Sequence, residues 1–289
     1  MQLIANIVVL TAIYALISCG YVLIYRVSRV LNLAHGELMM LGAYLLVATA
    51  GFVPASPVVA IALAAVLSVL MGLAVYYALM RRMTGNSILA AVLTTIALGI
   101  LIRGLVILIW SAQHQHPAET LHLGNPSIEI LGARISAVSA TLIVTAALAY
   151  GSLFVFLHRS RWGIRMRAVG QDPLLAAQRG IDLHLVFALA WAISTFTGSV
   201  AGMLMAMDSG LDATMVMIGL KAFPAALVGG LDSLAGALIG SLIIALSENL
   251  MISFVNPLLA DVVPFVILLL MLMVRPWGLF GTREELDRV

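Results

Sequence analysis

The chain has 289 residues, of which 63% are hydrophobic and only 10% charged, with a mean hydropathy of +1.12. A soluble domain carries roughly 25% charged residues, so the soluble globular classes are excluded and a polytopic helical membrane protein is expected. The net charge of +2 says little by itself, and the single cysteine, Cys19, excludes an internal disulfide or a cysteine-based metal cluster.

In chain order, apolar runs predict spans at 3–25, 30–51, 58–80 and 88–110, with Arg26, Arg29, Arg81 and Arg82 at their polar ends. The string Leu16-Ile17-Ser18-Cys19 is not read as a lipoprotein cleavage site, because no basic region precedes it and the apolar run continues. A polar loop at 111–135 leads to a fifth span at 136–157. A long polar interval, 158–184, then precedes a sixth at 186–207. Beyond it come a loop at 208–214, a short Gly- and Pro-interrupted stretch at 215–230, a span at 233–253 and a last apolar run at 262–274. The fold class expected is all-α, a single transmembrane bundle over residues 1–289 with about 7–9 crossings. Nine are preferred; seven result if two late segments are re-entrant. No solenoid period is visible.

Orientation follows from arginine. With 26–29, 81–82, 158–184 and the tail in the cytoplasm, twelve of fourteen arginines lie inside, leaving Arg134 in an outer loop and Arg103 within a span. The N-terminus is then outside and the C-terminus cytoplasmic.

The interval 158–184 contains a small punctuated helix. Asp172 suits the N-cap, Pro173 the first helical position and Gly180 a left-handed C-terminal residue, leaving about two turns. Leu174, Ala177 and Ile181 fall near one side. Such a helix is shaped to enter another protein's groove; the plainer alternatives are a helix lying on lipid or a loop packed on its own bundle.

Candidate pathway residues are Asn32, His35, Glu37, Lys221 and Pro224. His35 and Glu37 stand early in an apolar span, where ionisable groups face a bundle interior or a wet cavity. They line a path, or they form a structural hydrogen-bond pair near the interface. Two residues apart on a helix they point in different directions, which disfavours a joint metal site. Lys221 is the only lysine, and Pro224 with Gly229-Gly230 is expected to loosen its helix and turn carbonyls toward a cavity. Gly236 to Gly240 is a GxxxG pattern, a weak signal for close helix approach. Arg103 and Glu248 are read as snorkelled or satisfied. No catalytic pair, phosphate-binding loop, zinc-protease motif or voltage-sensor pattern is present, so no catalytic, cofactor or metal residue is assigned.

Three separated stretches, G-Y-V-L-I-Y-R-V-S-R-V-L-N-L-A-H-G-E-L-M-M-L-G-A-Y at 20–44, G-I-R-M-R-A-V-G-Q-D-P-L-L-A-A-Q-R-G-I at 163–181 and K-A-F-P-A-A-L-V-G-G-L-D-S-L-A-G-A-L-I-G-S-L-I-I-A-L-S-E-N-L at 221–250, resemble branched-chain amino acid ABC importer permeases of the LivH type, as does R-P-W-G-L-F-G at 275–281. The resemblance covers essentially the whole chain. It implies a permease subunit rather than an enzyme, in a bacterial inner membrane, with a second homologous permease, two cytoplasmic ABC ATPase subunits and a periplasmic or extracellular substrate-binding protein as partners. Membrane lipid surrounds it, and nucleic acid and cofactors are not expected. Carried onto this chain, Asp172, Ala176, Ala177 and Gly180 fall on the ATPase-docking loop. Family members often have glycine where Asp232 and Ser241 stand, so local packing there is in question. The substrate expected is a branched-chain or other small amino acid; related alternatives are urea and short amides. Outside the family, an ion-coupled secondary transporter would need free intramembrane carboxylates, for which only Glu37 and Glu248 qualify. An intramembrane enzyme would need a catalytic pair.

Overall fold

A computed structural model describes residues 1–85, 87–130 and 132–282. The helices, in chain order, are α1 Gln2–Ser28, α2 His35–Phe52, α3 Pro57–Val75, α4 Arg81–Met83, α5 Ile88–Trp110, α6 Pro117–Thr120, α7 Ala137–Arg159, α8 Arg161–Gln171, α9 Pro173–Gln178, α10 Leu183–Ser209, α11 Val216–Gly229, α12 Leu234–Phe254 and α13 Val263–Val274. A π-helical turn, Tyr76–Met80, joins α3 to α4, and a hairpin of β1 Ser127–Ile130 with antiparallel β2 Ala133–Ser136 closes the 111–135 loop. Six helices are long and apolar enough to cross a membrane among the described residues: α1, the run Pro57–Met83, α5, α7, α10 and α12. The chain is a polytopic helical membrane protein.

Local sequence sets the starts of these helices. Ser87, Ser136, Ser160, Asp172, Asp182 and Ser233 each cap a helix, the side-chain oxygen accepting from the amide three residues on. Three expectations are corrected. The second span does not begin at residue 30: Arg29 is left-handed, with φ 56°, and helix resumes only at His35. The 158–184 interval is not mainly loop: α8 takes 11 of its residues and α9 six more. The 215–230 stretch is not broken either; α11 runs through Pro224 to Gly229.

α1 and α10 form the buried centre, while α3, α5 and α7 keep most of their surface outward. Two halves repeat with opposite polarity. α1 and α10 are each 27 residues long, each is followed by six residues before α2 or α11, and each packs beside the helix after the other's partner: α10 on α3, α1 on α12. α2 and α11 therefore start inside the protein, and their first turns touch, Gly36 on Gly219. A similar close approach holds α11 to α12, where Gly236 meets Gly229 and Gly240 meets Ala225 and Gly229, so the GxxxG pattern is an actual helix contact.

Side-chain pairs sort the loops into two ends. At one end Gln2 Nε2 donates to the Arg134 carbonyl, Asp208 accepts from Ser136, Ser139 and Asn125, and Gln115 and Leu211 exchange backbone hydrogen bonds. At the other, Arg29 pairs with Asp232 at 2.7 Å and donates to the Gly170 carbonyl at 3.2 Å, and residues 279–280 hydrogen-bond to the carbonyls of Val228 and Gly229. Gln2 and residues 279–280 thus lie at opposite ends of the bundle. Asp232, unusual by the resemblance, is accommodated by Arg29 and by Thr282 Oγ1, which donates to it at 3.2 Å; Ser241 donates to the Ala237 carbonyl at 2.7 Å.

Gly219→Val is expected to wedge α11 away from α2, destabilising by about 1–3 kcal/mol as core overpacking does. Thermal unfolding in detergent should fall by several degrees for this variant, while Gly51→Val, where nothing lies within 4 Å of the new side chain, stays near the parent.

Candidate functional site

The first site is α9. Asp172 Oδ1 accepts from the Leu175 amide at 2.9 Å, Pro173 occupies the first helical position and Gly180 has φ +80°. The helix closes by a paired C-cap: the Gly180 amide donates to the Ala177 carbonyl at 2.9 Å and the Ile181 amide to the Ala176 carbonyl at 3.1 Å. Every feature that makes this helix rigid is therefore local. Its faces are unequal. Leu174 is 72% exposed and Leu175 52%, whereas Ala176 is 4% exposed. Ala176 faces the bundle and supports α9 from behind. Leu175 is exposed beside Leu174, which is invisible without knowing which way the helix is turned.

Pro173, Leu174 and Ala177 border an apolar cavity of about 430 Å³, whose other walls include Tyr76 and Met80 of the π-helical turn, Ile88 of α5 and Phe187 and Trp191 of α10. Tyr76 Oη lies 2.9 Å from His184 Nδ1, which ties the turn to the start of α10.

The second group lies deeper. His35 is fully buried; the Ile17 carbonyl accepts from its Nε2 at 3.2 Å, its ring meets Tyr21 edge-on, and it fills the space left by Gly20 of α1 and Gly198 of α10. Gly20 lies eight residues before the end of α1, so His35 sits about 12 Å into the bundle. Glu37 points elsewhere, toward Arg103 Nη2 at 3.1 Å. The two do not bond each other, and the structural pair expected between them is replaced by two separate pairings. Asn32 is buried, its Oδ1 accepting from the Ala34 amide at 3.2 Å. Of the two readings of Arg103, snorkelled or satisfied, the second holds: it pairs with Glu37.

Lys221 is not with these residues. Its Nζ lies 3.0 Å from Glu248 Oε1 and 2.6 Å from Asp261 Oδ1, while Glu248 Oε2 accepts from Tyr14 Oη at 2.5 Å. Pro224 is buried, and the nearby carbonyls face side chains: Ser18 donates to Ala222 at 3.0 Å and Tyr21 to Gly219 at 3.2 Å. Among the described residues no group of three metal-binding side chains occurs. At the Gln2 end, hydrogen bonding from Thr214 holds the Asp212 carboxyl below the usual range.

Fold and loops together describe a membrane bundle with a rigid helix presented at its arginine-rich end. The family described as branched-chain amino acid transport system / permease component matches residues 3–272. The chain belongs to that permease family. Similar proteins include the high-affinity branched-chain amino acid transport system permease proteins LivH of Escherichia coli K12 and of Salmonella typhimurium LT2, each 30% identical over 311 residues, covering 100% of this chain and 97% of the relative. BraD of Pseudomonas aeruginosa is 29% identical over 302 residues, covering 100% of this chain and 98% of the relative. A relative described as probable, LivH of Methanocaldococcus jannaschii, is 25% identical over 286 residues, with 95% and 90% covered.

In this permease, Asp172→Ala should remove the cap of α9 at a cost of about 1 kcal/mol. Amide hydrogen exchange over residues 174–177 is expected to accelerate severalfold, with α10 unchanged.

Proposed function

We propose that residues 1–289 act as one permease domain of an ABC importer that carries branched-chain or other small amino acids into the cytoplasm. Its partners in this reading are a second homologous permease, two cytoplasmic ATPase subunits and an external substrate-binding protein, assembled in a bacterial inner membrane. The chain has nine crossings, N-terminus outside and C-terminus inside. The observation that carries the reading is α9: a rigid, capped helix at the arginine-rich end, holding Leu174 and Leu175 outward where water or a partner must cover them.

The same geometry supplies a route for coupling. α9 continues from α8, whose Gly170 lies against the Arg26 carbonyl and accepts from Arg29, so α8 is clamped to the end of α1. Four residues past α9, α10 begins. A push on α9 by an ATPase closing on nucleotide is delivered to both central helices, and these are the helices that grip His35 at the start of α2. The apolar coupling helix lies over a cavity of about 430 Å³, which leaves it room to move.

The ion-coupled alternative needs a free intramembrane carboxylate. Glu37 is paired with Arg103, and Glu248 with Lys221 and Tyr14, which disfavours it. Urea and short amides remain inside the same family; selection among them rests with the binding protein, and the ligand that co-purifies with that protein decides it.

Two experiments test the reading. In a Cys19→Ser background, Gln113→Cys should react with an impermeant thiol reagent added outside and Arg161→Cys should not; outside labelling at 161 would overturn the orientation. Ala177→Glu adds a charge that docking would have to desolvate, a penalty of a few kcal/mol if unpaired. Gly180→Asp places a side chain on a left-handed backbone, which costs about 1–2 kcal/mol. Both variants should insert, yet neither should co-purify with the ATPase or support ATP-driven uptake. Normal uptake by Ala177→Glu would move the docking surface elsewhere.

A further inference from the structure

Arg103 is the only charged residue of α5, a helix of 23 residues whose outward face is isoleucine and leucine, with Ile96, Ile100 and Ile107 all exposed. It stands seven residues before Trp110, about 10 Å from that end of the helix. A snorkelling arginine would reach for that nearer interface. This one reaches the opposite way. Its Nη2 donates to Glu37 Oε1, and the Glu37 carboxylate lies against Gly99, one turn deeper along α5. The pair is not sealed: the Arg103 side chain is 41% exposed and that of Glu37 13%. Its Nε–H, although buried, finds no acceptor among the described residues. A guanidinium resting on acyl chains at this depth is costly, so the face on which it opens is expected to meet water or protein.

We propose that Glu37 and Arg103 together bind the charged end of the amino acid during translocation, the guanidinium taking the α-carboxylate and Glu37 the α-ammonium. This rests on the importer reading above. The chemistry is matched: a zwitterion needs one cation and one anion a few ångströms apart, and planar N–H groups engage a carboxylate in two bonds. Between substrates the two side chains neutralise each other, which limits the penalty of holding charge inside a membrane. On arrival of substrate, one ion pair is exchanged for two, with no change in net charge. α2 starts inside the bundle, two residues before Glu37, so the carboxylate reaches this depth on a short rigid lever. Recognition of the side chain is left to other surfaces; the pair reads only what all α-amino acids share.

The test uses the whole importer in proteoliposomes, with leucine as probe, and three permeases: Arg103→Gln, Glu37→Gln and the double exchange Glu37→Arg with Arg103→Glu. Loss of one hydrogen bond to a charged group should lower maximal uptake about ten-fold or more in each single variant that assembles. The double exchange restores the ion pair but reverses its polarity at each helix, so it should assemble and still fail to transport. Restored uptake in the double exchange would make the pair structural and overturn the proposal, as would parental uptake in Arg103→Gln. Loss of pairing with the second permease, or failure of all three to assemble, would mark a structural clamp and overturn it equally. Absence of ATP-driven leucine uptake by the parental importer would instead count against the importer reading itself.

Discussion

In hydrocarbon an unsatisfied backbone N–H or C=O costs several kcal/mol, so a chain that leaves helix inside a bundle must find every partner from its neighbours. Two stretches here take such partners. At 29–34 the Leu33 amide donates to Thr95 Oγ1 at 3.1 Å, the Leu31 carbonyl accepts from the same hydroxyl at 3.4 Å, and Asn32 takes the Ala34 amide. At 210–215 the partner is Gln115, through a reciprocal pair with Leu211, and Asp212 takes the Thr214 amide at 2.8 Å. These bonds let α2 and α11 begin within the protein. They also account for the full burial of Thr95 on α5.

Once those helices start at depth, the polar side chains of their first turns are carried inward with them. His35 is fixed between α1 and α10; Glu37, two residues on, emerges on α5. In the other half Lys221, in the second turn of α11, pairs with Glu248 and Asp261, and Glu248 accepts from Tyr14. Each half thus holds a carboxylate paired with a base, and each pairing has one exposed member, Arg103 at 41% and Asp261 at 79%.

The arginine-rich end works differently. There the chain is exposed, so local signals decide its shape: caps, a proline and a left-handed glycine build α9 without help from the bundle. What the bundle contributes is attachment. Arg29 holds Gly170 and Asp232 together, joining α1, α8 and the α11–α12 turn at one point, and Ala176 anchors α9 from below. A surface built this way is shaped by its own caps and held by contacts to the central helices.

The helical membrane class, most of the span positions and the caps of α9 were legible in the amino-acid sequence, because each depends on neighbours along the chain or on transfer from water to lipid. Asp172, Pro173 and Gly180 specify a helix start and stop wherever they occur. Helix contacts were legible only as patterns; Gly236 and Gly240 signalled close approach without naming Gly229 and Ala225 as its target. Only tertiary structure decided which charges meet. Arg103 and Glu37 are 66 residues apart and Lys221 and Asp261 are 40 apart. Their roles turn on the depth at which helices begin, and that depth is set by hydrogen bonds from residues remote in sequence. For the same reason hydropathy placed a span at residue 30, since it measures apolarity and not whether the backbone is helical.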